Sequence, residues 1–252
     1  MTILIICFLV LGYSIFIEAK TFIVNEYKIT NNLIPNSFHG VKVVHISDIL
    51  YNSLNDNDLE RIKNKINELK PNILVFTGNL KKDDYSFQKD EIELINNFFK
   101  NLNSNIIKYA VRGKNDDESF NIILENTGFR ILDNESQLLY NKDNNPIKIV
   151  GYNTNDFNLV NTESENFYTI CLMHNPDIIN KVNNCNLALA GANLGGEIKI
   201  PFYKGILTDY KYMNNYYKLN NTEFYISNGL GNNYNIRLFN YPSINLYRIT
   251  KY

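Results

Sequence analysis

The chain opens on a run without a charged side chain, ILIICFLVLGYSIFI from Ile3 to Ile17, and then changes to patterned segments. As a helix this run would be about 22 Å long, against a hydrocarbon core of about 30 Å, so it spans a bilayer only with local thinning or help from its flanks. Beyond it, Thr21 to Thr30 alternates like a half-buried strand, and Val41 to Ile46 reads as a more fully buried one. Leu59, Ile62, Ile66 and Leu69 recur at helical spacing; Asp56 or Asp58 can cap the start, and Pro71 ends the helix. Ile73 to Thr77 is the next buried strand, and Ile92, Ile95, Phe98, Phe99 and Leu102 make the stripe of a second helix. A strand at Ile106 to Val111 and a third helix at Phe120 to Asn126, with Gly128 at its C-cap, continue the alternation. Such alternation predicts a sheet covered by helices.

The second half reads differently. Short apolar strands at Ile147 to Val150, Tyr168 to Met173, Leu187 to Ala190, Glu223 to Ser227 and Ile244 to Ile249 are separated mostly by turn-rich stretches. They predict a second, partly antiparallel sheet packed on the first with no linker between the halves. The expected architecture is an α/β sandwich of two mixed β-sheets flanked by helices. Residues 1–20 form a hydrophobic membrane segment and residues 21–252 a single domain.

Composition narrows the partners. A net charge of −1 gives no broad basic surface, which argues against nucleic acid. Asn makes up roughly one residue in six, scattered among well-patterned strands and helices, as an AT-rich coding genome would leave it. Cys7, Cys171 and Cys185 have no CxxC spacing and read as small apolar residues. No Lys or Arg precedes the N-terminal segment, and Glu18 and Lys20 follow where a signal peptidase requires small neutral residues. A retained membrane anchor therefore fits it better than a cleavable signal, while the weak basic flanks leave its orientation open.

In layered α/β proteins the chemistry gathers in loops at the carboxyl ends of strands. Here those loops are Ser47 to Leu50 (SDIL), Thr77 to Asp84 (TGNLKKDD), Val111 to Glu118 (VRGKNDDE), Met173 to Asp177 (MHNPD) and Ala190 to Pro201 (AGANLGGEIKIP). In this order they resemble the five signature blocks of the calcineurin-like metallophosphoesterases, and in particular the membrane-anchored bacterial branch. The C-terminal NGLGNNYNIRLFNYPSINLYRI matches that branch's ending. The resemblance implies two divalent metal ions held by Asp, His and Asn ligands, bridged by a carboxylate and activating a water that attacks phosphorus.

The same resemblance exposes departures. Asp48 keeps the first ligand position, but Leu50 stands where the block has histidine. Asn79 replaces the bridging aspartate, a neutral amide for an anionic two-oxygen ligand. Lys114 replaces the asparagine ligand, Asn115 replaces the histidine that would protonate the leaving group, and Asp116 survives beside it. His174 keeps its position, and Ala192 and Leu194 replace both histidines of the glycine-rich last loop.

Asn79 for a carboxylate and Lys114 for a neutral ligand make the position about two charge units less favourable to cations, so two divalent ions are not expected to bind. No cofactor is expected, and Lys114 is expected to project toward Asp48 as its charge partner. Asp48 can also be read as a turn cap and His174 as a hydrogen-bonded loop residue. His39 and His45 lack ligand spacing, and the acidic and basic clusters beside Asp84 and Asp117 read as solvated. The expected function is that of an inactive, membrane-anchored homologue that binds lipid through its N-terminus and an unidentified protein or anionic ligand at the cleft. The alternative is a residual metal-dependent phosphoesterase.

Overall fold

The computed structural model describes residues 1–160, 166–199 and 210–252; Ile200 and Pro201, the end of the last signature loop, lie outside the described residues. An N-terminal helix α1 (Thr2–Phe16) runs into a short 3-10 turn at Glu18–Lys20. Beyond it stand two six-stranded sheets. The first contains β1 (Ile23–Thr30), β2 (Val41–Ile46), β3 (Ile73–Phe76), β4 (Ile107–Ala110), β5 (Phe129–Ile131) and β12 (Ser243–Thr250), in the order β1-β12-β2-β3-β4-β5. The second contains β6 (Glu135–Leu139), β7 (Ile147–Tyr152), β8 (Thr169–Met173), β9 (Leu187–Ala190), β10 (Tyr216–Leu219) and β11 (Thr222–Ile226), in the order β10-β11-β9-β8-β7-β6. Both are mixed: β12 is antiparallel to β2 in one, and the β6–β7 and β10–β11 pairs are antiparallel in the other.

Helices α2 (Asp56–Leu69), α3 (Lys89–Lys100) and α4 (Glu118–Glu125) cover the first sheet. Leu59, Ile62 and Ile66 of α2 and Ile95, Phe98 and Phe99 of α3 pack with Val44, Ile46, Leu74 and Phe76 from the strands. The cap of α2 is Asn55, whose side chain accepts from Asp58 N–H while Asp58 accepts from Asn55 N–H; Asp58 completes the box rather than starting the helix. Lys70, left-handed, ends α2 one residue ahead of Pro71. A second apolar layer fills the space between the sheets, with Val43, Val75, Tyr109, Ile149, Leu172, Leu189 and Tyr247 all buried in it.

The expectation that Ile244 to Ile249 joins the second sheet is overturned: β12 lies in the first sheet between β1 and β2, through long-range pairings that its own apolar pattern does not encode. The sequence reading missed β5, β6 and β10. Each is short and carries exposed or half-buried positions, so its apolar signal is weak. It also misread two cysteines. Cys171, on β8, and Cys185, just ahead of β9, form a disulfide with a Cα–Cα separation of 5.8 Å, within the ordinary range. Both are buried, so they do fill apolar space, but their pairing across adjacent strands was invisible because a 14-residue separation has no signature of its own. A closed loop of that length stabilises by about 3 kcal/mol in the chain-entropy account. Cys185→Ser is therefore expected to lower the melting temperature by about 6–12 °C. Thiol titration of the denatured, unreduced wild type should find only Cys7, whereas titration of all three cysteines would contradict the pairing.

Candidate functional site

Strands β2, β3 and β4 are parallel neighbours, as are β8 and β9, so the loops leaving their carboxyl ends collect at one end of the sandwich. Backbone bonds lace those loops together: Asp48 N–H donates to Gly78 O at 2.9 Å and Leu50 N–H to Asn79 O at 3.2 Å. Leu230 and Gly231 N–H groups donate to Asp48 O at 3.2 and 2.8 Å. Close approach is required at Gly191, where a Cβ would stand 1.9 Å from Ser47 Oγ and 2.8 Å from Asp48 Oδ2. Gly191 thus lets β9's exit touch β2's exit, while Gly195 of the same loop gives way to the Asn228 and Asn240 side chains.

Asp48 is the centre of this arrangement and is 1% exposed. Its Oδ1 accepts from Asn79 Nδ2 at 3.0 Å, and its Oδ2 accepts from Ala192 N–H at 3.0 Å and from the Ser47 hydroxyl. Asn79 Oδ1 accepts from Asn115 N–H at 3.1 Å, which fixes the amide's orientation: flipped, it would set NH₂ against N–H and oxygen against carboxylate. His174 Nδ1 lies 2.6 Å from Thr77 O and must carry the hydrogen, since a carbonyl only accepts. Among the described residues its Nε2 has no hydrogen-bond partner, and it stands 4.0 Å from Asp48 Oδ1. Asp116 is a loop clamp: its carboxylate accepts from the N–H groups of Asn79 (2.7 Å), Leu80 (2.8 Å) and Gly113 (2.7 Å). Burial raises its pKa, and the three N–H donors oppose that rise. His45, also fully buried, bonds Thr77 Oγ1 through Nε2, and burial pushes its pKa down to about 3.

Leu50 and Leu194 are buried at 1% and 2% exposure, and Leu194 packs so tightly on Gly229 that a Cβ there would meet Leu194 Cδ2 at 2.4 Å. Asp48, Leu50, Asn79, Ala192 and Leu194 all have positive φ, between 44° and 67°. Left-handed backbone costs an L-residue of this kind about 1–2 kcal/mol and is typical of functional loops. For Leu50, Ala192 and Leu194 no side-chain hydrogen bond offsets it.

Lys114 does not approach Asp48. Its neighbours Gly113 and Asn115 aim their N–H groups inward, at Asp116 and Asn79, and the side chain between them is left exposed on the rim. The buried cation near Asp48 is Arg237, which lies in the C-terminal NGLGNNYNIRLFNYPSINLYRI stretch and outside the five loops. Arg237 is fully buried and donates through Nε to Asn232 Oδ1 at 2.6 Å, through one terminal nitrogen to Leu194 O at 2.7 Å and through the other to Gly231 O at 2.6 Å. Burial lowers its pKa to about 10, against the pull of Glu197, Asp48 and Glu18, so it remains a cation at neutral pH. Glu18 and Glu197 are 1% and 2% exposed, and no local pattern marked either of them.

Two donors of the expected metal set, Asp48 and His174, are therefore in place and adjacent. The remaining positions hold an amide hydrogen aimed at the carboxylate, apolar side chains and an outward lysine. Among the described residues no cluster of three or more His, Cys, Asp or Glu side chains is placed to hold a metal ion. The residues present do not fit a dinuclear centre.

The calcineurin-like phosphoesterase family model matches residues 41–240. An uncharacterized metallophosphoesterase, YkuE, of Bacillus subtilis (strain 168) is 29% identical over 237 residues, covering 87% of this chain and 82% of its own. Among solved structures, phosphopantetheinyl hydrolase (PptH) from Mycobacterium tuberculosis aligns with a TM-score of 0.41 and 9% identity, over 75% of this chain and 89% of that one, too distant to bear on function. With the family model matching residues 41–240, which take in all five loops, the chain belongs to the calcineurin-like phosphoesterases.

Proposed function

We propose that this chain is a membrane-anchored member of the family that has lost metal-dependent hydrolysis and serves as a binding or structural module. The observation that carries this reading is the state of the Asp48 carboxylate, whose oxygens are taken up by Asn79 Nδ2, Ala192 N–H and the Ser47 hydroxyl. A metal would have to displace neutral donors already in good geometry and would find one imidazole and no bridging anion. Leu50 and Leu194 supply neither a ligand nor a proton. The Arg237 guanidinium, buried among Glu197, Asp48 and Glu18, takes the place of a metal as the positive charge at the junction of the loops.

The anchor reading rests on the stretch Thr2–Lys20, 19 residues long, which contains an 18-residue window of mean hydropathy 2.3 with only 17% of that window buried. Ile3, Leu4, Phe8, Leu9 and Phe16 are all more than 65% exposed, a surface that water does not favour and lipid does. The Cys171–Cys185 disulfide supports placing the globular part on an oxidising side of that membrane. The occupant of the cleft is a protein or an anionic ligand.

The full-length chain in detergent should show no hydrolysis of phosphomonoesters or phosphodiesters with manganese, zinc, iron or magnesium, and chelator should leave its melting temperature unchanged. Metal-dependent turnover that co-purifies with the chain and disappears in an Asp48→Ala, His174→Ala double variant would overturn the reading and establish a residual phosphoesterase.

A further inference from the structure

The segment from Asn232 to Tyr241 binds both the loop cluster and the base of α1. Toward the cluster, Asn233 N–H donates to Glu197 Oε1 at 2.7 Å, Lys199 N–H to Leu238 O at 2.8 Å and Leu238 N–H to Glu197 O at 3.1 Å. Toward the helix, Arg237 N–H donates to Ser14 O at 3.1 Å and Asn232 Nδ2 to Ala19 O at 2.9 Å. Asn240 N–H donates to the Glu18 carboxylate, and the Tyr13 and Tyr241 hydroxyls bond one another. The last turn of α1 is thereby held against this segment by main-chain and buried polar contacts, so the two keep a fixed relation.

Two large side chains of the segment are left largely uncovered among the described residues. Tyr234 is 66% exposed and Phe239 is 64% exposed, and Phe239 sits at φ 54°, a left-handed conformation unusual for an aromatic residue. At the foot of α1, Phe16 and Ile17 are 70% and 52% exposed. Lys20 is exposed beside them, and Lys82 reaches the segment through a 3.0 Å bond from its ammonium to Asn233 O. Aromatic side chains flanking the end of an apolar helix, with lysines alongside, match the chemistry of a bilayer interface, where rings occupy the headgroup layer and ammonium groups meet lipid phosphates.

We propose that Tyr234 and Phe239 seat in the interfacial layer of the same bilayer that α1 enters. This second contact makes the domain lie against the membrane with the loops around Asp48 turned toward the lipid headgroups, because the 232–241 segment joins those loops to the helix. The inference rests on α1 being a membrane anchor, and it deepens that reading by fixing which face of the domain the membrane meets.

The chain contains no tryptophan, so a single introduced one reports its own surroundings. Full-length Tyr234→Trp and Phe239→Trp variants are reconstituted in phosphatidylcholine–phosphatidylglycerol vesicles, with and without lipids brominated near the headgroup end of the acyl chain. Tyr140→Trp is the control: Tyr140 is 56% exposed and follows β6, at the opposite end of the second sheet from the loop cluster. All three sites are exposed, so the substitutions leave the fold alone. Brominated lipid should abolish most of the emission of Tyr234→Trp and Phe239→Trp and leave that of Tyr140→Trp unchanged. Carbonate extraction of the same vesicles separates the two ideas. A chain that resists extraction but whose tryptophans at 234 and 239 escape quenching refutes the second contact and spares the anchor; a chain released by carbonate refutes the anchor and the proposal with it.

Discussion

Arg237→Ala is expected to destabilise the protein by about 4 kcal/mol, the loss that follows when one partner of a buried charge group is removed. The guanidinium is fully buried, and its three hydrogen bonds end on Asn232 Oδ1, Leu194 O and Gly231 O. Its truncation would leave Glu18, Asp48 and Glu197 without the cation that faces them, each carboxylate no more than 2% exposed. Gly231 O would lose the donor described for it, whereas Leu194 O would keep Asn240 Nδ2 at 2.7 Å. For a domain of this size the loss corresponds to a fall in melting temperature of about 8–16 °C. Arg237→Lys should fall between alanine and wild type, since an ammonium restores the charge but not the fork that serves three separate acceptors. Equilibrium urea unfolding of the three proteins checks the order. A loss below about 1 kcal/mol for Arg237→Ala would mean that the carboxylates take up protons or water instead, and that the cluster is not held by its charge.

How far the sequence could be read depended on the range of the interaction. The buried strands β2, β3, β8 and β9 were legible because each is a short apolar run bounded by turn residues, and α2 and α3 because their apolar positions repeat at helical spacing. The short strands β5, β6 and β10 were not, since their stability comes from a neighbour's edge rather than from their own pattern. The loops that hold Asp48, Asn79, His174 and Leu194 were legible from their order and glycines. What each side chain does there was not. Nothing local distinguishes a lysine that points into a cluster from one that points out, and Lys114 points out because the N–H groups on either side of it are pulled inward. Arg237, Glu18 and Glu197 lie at widely separated positions, and only the folded chain brings them together. A Cys171–Cys185 pairing is of the same kind, settled by two strands lying side by side. Left-handed backbone at Leu50, Ala192, Leu194 and Glu197 was concealed by the residue types, none of which favours it.

Asn79→Asp tests how the site manages charge. The substitution removes the 3.0 Å hydrogen bond from Asn79 Nδ2 to Asp48 Oδ1 and sets a second carboxylate against the first, where the residues are 8% and 1% exposed. Two full charges about 3 Å apart at an effective dielectric near 20 repel by about 5 kcal/mol, and the pair escapes part of this by binding a shared proton. At pH 8 the variant should be about 3 kcal/mol less stable than wild type. The sign of the pH dependence follows from the direction of the shift. Repulsion raises the pair's folded pKa above its unfolded value near 4, so the folded state binds the extra proton first and the deficit shrinks as the pH falls through the raised value toward 4. Wild type, with an amide at this position, lacks that recovery. The same variant places a bridging anion beside Asp48 and the unpartnered His174 Nε2, so millimolar manganese at pH 8 should restore part of its melting temperature and leave the wild type's unchanged. No hydrolysis is expected of the variant, because Leu50, Lys114, Ala192 and Leu194 still contribute no ligand and Asn115 no imidazole. If the variant were as stable as wild type at pH 8 and unaffected by manganese, the loops would be open enough for water to screen the two carboxylates. Asp48 would then not be a sealed and satisfied carboxylate, and a cation could compete for its oxygens.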